Sequence, residues 1–445
     1  MLRIGSGAGF SGDRIEPAIE LAEKGKLDYL VLECLAERTI ALAQKRKKAD
    51  VMLGYDPLLE KRIRSLLPAL LKNNVRLVTN MGAANPIGGA QKIIEIAEEL
   101  GLKVKVAAVT GDDVLPYVFE NADSLLFNPE LFETASILSA NAYMGVSEIV
   151  PALETGADVI ITGRVADPSL FLAPMIHHFG WSVDDYDLMA KGTVIGHLLE
   201  CAGQLTGGYF ADPKKKDVNG LAYLGFPLAE VQSDGSALLT KVPGTGGTLT
   251  LRTVKEQLLY EVMDPSSYIT PDVVADFTTV SLREDREDRI LLTGGRGKER
   301  PAQLKVSVGY DAGFIGEGEI TYAGENAYGR AELAGAIVKE RISRNYDEFK
   351  VDYIGAISGH RGSFGHQVNP YEVRLRVAGK TFEEDKAQRI GEEVEALYTN
   401  GPAGGGGARK FVNEVIGIVS TMVPRTVINA AIKVMEVGQN GKETV

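Results

Sequence analysis

Five side chains capable of chemistry fall on one arc of a candidate helix within GTVIGHLLECAGQLTGGYF, residues 192–210. At about 100° per residue, Thr193, His197, Glu200, Cys201 and Gln204 follow the spacing of a single helix face. Val194, Ile195, Leu198, Leu199, Ala202 and Leu205 take the opposite side, and Gly196 and Gly203 leave a third side open to close packing. An ordinary solvent face carries Lys, Arg and Glu. This one carries a proton shuttle, a carboxylate, a thiol and an amide, which makes an enzyme the leading reading. Three chemistries compete. His197 and Glu200 could offer a nitrogen and an oxygen to a metal, with Asp167 as a third ligand from elsewhere, although no dedicated ligand spacing repeats. Cys201, one turn from His197, could become a thiolate nucleophile, but no flanking signature accompanies it. Glu200 and His197 could exchange a proton beside a carbonyl or hydroxyl carbon, which needs only proximity and is the preferred reading. The bland alternative is a buried polar helix satisfied by neighbouring loops.

Further candidates sit in short polar loops. Gly7-x-Gly9-x-x-Gly12 follows the first strand and opens a helix, and Glu33 closes the second strand some residues on, the spacing of a dinucleotide site. Asp13 and Arg14 stand at the helix start, where a carboxylate repels a pyrophosphate unless Arg14 offsets it. Anion or substrate binding by this loop is therefore preferred over nicotinamide binding, and a plain capped turn is the simpler alternative. In TGRVADPSLFL (162–172), Arg164 could clamp a carboxylate or phosphate through paired hydrogen bonds, or merely fix the loop with Asp167. NMGAANP (80–86) offers Asn80 and Asn85 to a ligand, with a cap and turn as the favoured reading. KVPGTGGTLT (241–250) could form an anion nest from Gly244, Thr245, Gly246 and Gly247 beside Lys241, or a hairpin turn; it lacks the ending of an ATP-binding loop. His360, Arg361 and His366 bracket a Gly-Ser-Phe-Gly loop that could complete a site, while His177 and His178 read as the end of a helix before Gly180.

The elements that must position these residues are legible from periodicity. Short apolar strands at 2–6, 28–33, 75–80, 103–109 and 157–162 alternate with amphipathic helices at 13–24, 57–73, 87–100, 142–156 and 184–205. Such alternation predicts βαβ units and a parallel sheet covered on both faces, a doubly wound α/β domain with ligands at the strand carboxyl ends. Near residue 265 the pattern shifts to alternating apolar and polar residues. This predicts a C-terminal α+β domain over 266–435, with helices at 326–344 and 382–399, after an α/β domain over 1–265 and before a frayed tail at 436–445.

Composition narrows the class. The 445 residues suffice for two cores, and hydrophobic and charged shares of 44% and 24% are those of a globular protein. A net charge of −12 argues against nucleic acid or an anionic membrane as partner. No apolar run approaches the roughly 20 residues of a membrane span, and no signal peptide is evident. With only Cys34 and Cys201 present, a reduced cytoplasmic protein without a disulfide framework is expected.

Taken together, the stretches GAGFSGDRIEPAIELAEKGKLDYLVLECLAERT, TNMGAANP, ITGRVADPSLFLAP, GTVIGHLLECAGQLTGGYF, GFPLAEV with PGTGGT, YITPDVVADF and LKVSVGY resemble the acyclic terpene utilisation protein A family over nearly the whole chain. The resemblance implies a part in bacterial breakdown of citronellol- and geraniol-type terpenoids through branched acyl-CoA esters. Some relatives carry a further small C-terminal domain, which makes a separately encoded small partner conceivable here. The expected reaction is a lyase, hydratase or isomerase step on a small carboxylate or its CoA thioester, in a homo-oligomer whose cofactor the residues do not name. A nicotinamide oxidoreductase using Gly7, Gly9, Gly12 and Glu33, and a non-catalytic subunit of an acyl-CoA-processing complex, are the alternatives.

Overall fold

A computed structural model describes residues 1–125, 136–360 and 369–444, with side chains through 438. Arg361 and His366 lie outside the described residues. The chain forms two compact units: the first comprises Met1–Glu133, Ile137–Gly309 and Ile418–Val445, and the second is built on Tyr310–Gly417.

The first unit is organised by β1 (Leu2–Ala8), β2 (Tyr29–Leu32), β3 (Arg76–Thr79), β4 (Lys105–Thr110) and β6 (Val159–Thr162), which run parallel in the order β1-β2-β3-β6-β4. β5 (Ile137–Ala142) lies off this sheet. Because side chains alternate across a strand, each parallel strand feeds two cores. Tyr29 and Val31 of β2 join one with the helices Val146–Glu154, Ser169–Phe179 and Tyr186–Glu200. Leu30 and Leu32 join the other with Glu16–Lys24, Leu59–Lys72 and Pro86–Glu99. Helices on both faces make this the doubly wound α/β domain that the periodicity predicts.

Antiparallel strands extend the sheet at both edges. β7 (Pro227–Val231) pairs with β1, β8 (Ala237–Lys241) with β7, and Arg289–Thr293 and Ser281–Arg286 follow. The residues just past the composition shift near 265 thus add strands to the large sheet. On the far side Ala431–Glu436 pairs with β4, and Gln439–Thr444, where a frayed tail is expected, folds back on it as the edge strand. The second unit is an antiparallel sheet whose strands Glu348–Ile354 and Glu372–Thr381 pair in register from Glu348 opposite Lys380 to Ile354 opposite Arg374. Val373, Leu375 and Val377 pack beneath the helices Ala327–Ile342 and Glu384–Glu395. No helix among the described residues is long and apolar enough to cross a membrane.

Candidate active site

A cleft of about 730 Å³ opens at the carboxyl ends of β1, β2 and β6, where open α/β sheets hold ligands. The segment after β1 contributes Gly9, Phe10 and Asp13, that after β2 Glu33, Leu35, Ala36 and Glu37, and that after β6 Arg164 and Asp167. The end of the helix Tyr186–Glu200 supplies Glu200, and the turn beyond it Cys201, Gly203 and Gln204.

The helix predicted over 184–205 stops at Glu200. Ala202 adopts a left-handed conformation (φ 44°) and a tight turn covers Ala202–Gln204. The five-residue stripe therefore divides. Thr193 bonds back to the Met189 carbonyl at 2.8 Å, and His197, 1% exposed, lies against the rings of Tyr268 and Phe277. Neither lines the cleft, whereas Glu200, Cys201 and Gln204 do. Gly196 is where Pro168 approaches: a Cβ there would lie 2.7 Å from the Pro168 carbonyl oxygen.

His197 stands directly behind Glu200. Its Nε2 is 3.1 Å from the carbonyl oxygen of Gln257 and its Nδ1 is 2.9 Å from Glu200 Oε1. A carbonyl only accepts, so Nε2 carries a hydrogen. The contact between Nδ1 and Oε1 then holds one proton, as imidazolium with carboxylate or as imidazole with carboxylic acid. Burial pushes the Glu200 carboxyl up to about 7, against the pull of His197. Burial works against charge on His197 too, but Glu200 outweighs it and raises the imidazole above its usual value. Glu200 is 8% exposed and its second oxygen, Oε2, has no partner. With both nitrogens engaged, His197 has no lone pair free for a metal in this arrangement. Among the described residues no three His, Cys, Asp or Glu side chains gather as a metal-binding group.

Cys201 is poorly suited to nucleophilic attack. Burial, and then the Glu200 charge, push its thiol up, while a bond from Gln257 works weakly the other way. A thiolate is the reactive form. Iodoacetamide should therefore alkylate Cys201 more slowly than a free thiol near neutral pH, and Cys201→Ser should keep the pH dependence of the wild type. Rapid alkylation below neutrality would return the thiol to candidacy.

Arg164 is 2% exposed and almost fully committed. One terminal nitrogen donates to the Leu35 carbonyl, the other to Asp167 Oδ1 at 2.6 Å, and the guanidinium stacks 4.2 Å from the Tyr143 ring centre. Its backbone amide donates to Asp112 Oδ2 at 2.9 Å, an approach that requires Gly163, whose Cβ would meet Asp112 Oδ1 at 2.4 Å. Of the two readings of this side chain, the structure shows the one that fixes the loop through Asp167; the paired donors are spent on the protein, and only Nε is left without a partner.

The remaining walls are acidic. Glu33 Oε1 accepts from the Leu35 amide (2.8 Å) and from Asn80 Nδ2 (2.9 Å), and burial followed by the Asp167 charge pushes its carboxyl well up. Burial also works against the Glu37 carboxylate, but the Tyr143 hydroxyl, Arg164 and Lys305 bring it down to about 2. Among the described residues the carboxyl groups of Asp13, Glu33, Glu37, Asp167, Glu200 and Glu261 face the cleft beside two cations, Arg164 and Lys305, each already engaged by a carboxylate, so the cleft offers a bound anion little free positive charge.

Several predicted ligands have structural work elsewhere. In the Gly7–Gly12 loop the Gly9 amide donates to Asp13 Oδ2 at 2.7 Å, so a carboxylate of the protein already occupies the place of a bound anion. Gly7 packs on Leu32 and Ala18, and Gly12 faces the ring of Phe10. Arg14 donates to the carbonyls of Leu221 and Ala222. Asn80 holds Glu33 and the Cys34 amide without lining the cleft. Asn85 caps the helix Pro86–Glu99 through the Gly88 amide, as the favoured reading had it. Lys241 binds the Thr245 carbonyl (2.8 Å) and Asp288 (3.1 Å). The amides of Gly246 and Gly247 donate to the carbonyls of Tyr223 and Asn219. Gly244, Thr245 and Gly247 border a separate cavity, so the 241–250 loop supplies no anion nest to the cleft. His177 bonds to the Tyr29 hydroxyl at 3.1 Å, just before the helix ends at left-handed Gly180.

The cleft also contains residues that sequence reasoning passes over: Glu37, Tyr143, Tyr209, Tyr260, Glu261 and Lys305. Glu37 stands in ECLAERT (33–39), directly after β2, so a strand-end rule applied to every polar residue finds it. Tyr209 and Lys305 lie inside the quoted stretches GTVIGHLLECAGQLTGGYF and LKVSVGY but off the helical arc, and Tyr143, Tyr260 and Glu261 come from segments with no motif. Tyr209 and Glu261, like Ala202, hold left-handed backbone conformations (φ 59° each). Non-glycine residues adopt these at a cost and tend to mark functional sites.

A family model for the acyclic terpene utilisation family protein AtuA matches residues 2–434. The chain belongs to this family. No curated protein and no solved structure matches it. The family match spans every segment that lines the cleft.

Proposed function

We propose that this family member is an acid–base enzyme of the lyase, hydratase or isomerase type, acting on a compound whose reacting oxygen-bearing group is uncharged. The observation that carries this reading is the His197–Glu200 pair. It holds one proton against the cleft wall and leaves a carboxyl oxygen, Glu200 Oε2, without a partner. A carboxyl group tuned toward neutrality suits proton transfer in either direction. Of the expected substrates, a thioester fits the acid-rich cleft better than a free carboxylate, because its reacting carbonyl is neutral while a carboxylate meets like charge. Phe10, Leu35, Leu224 and Phe226 give the same cleft apolar wall for the hydrocarbon part.

The test is a panel of short branched acyl and hydroxyacyl thioesters, offered as CoA and as N-acetylcysteamine derivatives, beside the matching free acids. Thioesters are expected to raise Tm and to be converted. Stabilisation by the free acids and not by the thioesters would overturn the substrate class.

A further inference from the structure

Among the described residues, two side-chain atoms in the cleft walls are buried and have no hydrogen-bond partner: Arg164 Nε and Glu200 Oε2. One is a donor and the other is a proton acceptor whenever the shared proton rests on His197. Leaving a buried polar group unpaired costs about 1–3 kcal/mol, more when it is charged. Two such groups in one cleft are accounted for if a ligand completes both.

We infer that Arg164 and Glu200 act together on a carbonyl compound, removing and returning the hydrogen on the carbon next to the carbonyl. This deepens the acid–base reading above and rests on it. In the step, Glu200 as carboxylate takes the hydrogen as a proton. The electron pair of the broken C–H bond becomes the C=C bond of an enolate, and the carbonyl π pair moves to oxygen. The negative charge on that oxygen is met by the Arg164 Nε–H. Returning the proton from Glu200 to either end of the enolate system restores a neutral compound, so no oxidant or co-reactant is required.

Three features suit Arg164 to this task. Its two terminal nitrogens are fixed on Leu35 and Asp167, and its plane is stacked on Tyr143, so Nε is held in place before any ligand arrives. A single fixed donor matches one carbonyl oxygen, whereas a carboxylate calls for the paired fork already spent on the protein. Burial works against the charge of the guanidinium, but the acid groups around it, Asp167 foremost, outweigh that, so the donor stays cationic where negative charge develops.

The experiment uses the full chain and two probes, the isobutyryl and isovaleryl thioesters of N-acetylcysteamine. In D2O the wild type should exchange the hydrogen next to the carbonyl above the buffer rate, read by proton NMR. Glu200→Gln should abolish the exchange. Arg164→Lys, which keeps the charge but loses the planar donor, should slow it by about 10²–10³-fold, the effect of removing one donor to a developing oxyanion. In 13C,15N-labelled protein the Arg164 Nε–H signal, assigned through its own side-chain carbons, should shift on adding either probe. Should Arg164→Lys fail to fold, an assigned wild-type Nε–H signal that does not move with saturating probe overturns the inference. Absence of exchange in the wild type, or exchange that Arg164→Lys leaves unchanged while Glu200→Gln removes it, overturns it as well. Exchange that survives Glu200→Gln defeats the acid–base reading beneath it.

Discussion

Replacing Glu200 with Gln should lower turnover by about 10²–10⁴-fold, the usual contribution of a positioned proton-transferring group. Gln keeps the shape of the side chain and a bond to His197 Nδ1, so folding and ligand-induced stabilisation should persist. The pH dependence of stability supplies a second readout. The folded Glu200 carboxyl lies up at about 7, above its ordinary value of 4.5, so the folded state binds the proton more tightly than the unfolded chain. Stability must then fall as pH rises from the ordinary carboxyl range through neutrality. His197, also raised, adds in the same direction, since its stabilising charge is lost as pH rises through its folded value. Asp112, pushed up to about 6 by burial, contributes likewise at slightly lower pH. The wild-type Tm should decline between mildly acidic and mildly alkaline pH, and Glu200→Gln should flatten that decline. Equal turnover and an equal slope in both proteins would show that the pair is only structural.

The second large effect is expected at Gly9. A Cβ there would lie 2.5 Å from the backbone carbonyl carbon of Cys201 and 2.7 Å from its Cα, and backbone cannot swing aside as a side chain can. Gly9→Ala must push the β1 loop off the turn that follows Glu200, at about 3 kcal/mol or more given that ordinary overpacking costs about 1–3 kcal/mol. The same shift would open the cleft between Gly9 and Cys201, so ligand-induced stabilisation should vanish along with part of the unfolding free energy. The other two glycines of the motif calibrate this. At Gly7 the nearest neighbour is a methyl of Leu32 at 2.6 Å, and at Gly12 it is the exposed ring of Phe10, which can rotate away. Urea unfolding should therefore rank the alanine variants Gly9, Gly7, Gly12 from most to least destabilised. A nucleotide-binding loop would instead tie all three to loss of nucleotide affinity.

That contrast shows what a sequence can carry about this fold. The alternation of apolar strands and amphipathic helices is a local property, so β1, β2, β3, β4 and β6 and most of their helices fall close to where periodicity puts them. The rule that ligands gather at strand carboxyl ends points to Glu33, Arg164 and Asp167, and all three line the cleft. Glycine spacing reports only where backbone comes close, not what it meets: at Gly9 the neighbour is Cys201 and not a pyrophosphate. Helical spacing puts His197 and Glu200 on one arc and both are buried, but Glu200 alone of the two lines the cleft, while His197 packs on Tyr268 and Phe277. Tyr143, Glu261 and Lys305 reach the cleft through contacts distant in sequence, which no window of the chain contains.

The proton shared by His197 and Glu200 has a thermodynamic corollary. Whether it rests on nitrogen or on oxygen, the pair carries no net charge, so between its two ionisations an uncharged ligand can bind without taking a proton from solvent or giving one up. Calorimetric heats of binding should then be the same in buffers of very different ionisation enthalpy, and affinity should barely respond to ionic strength. A resting protein of this kind brings its reactive proton with it and draws nothing from the medium when it engages its ligand.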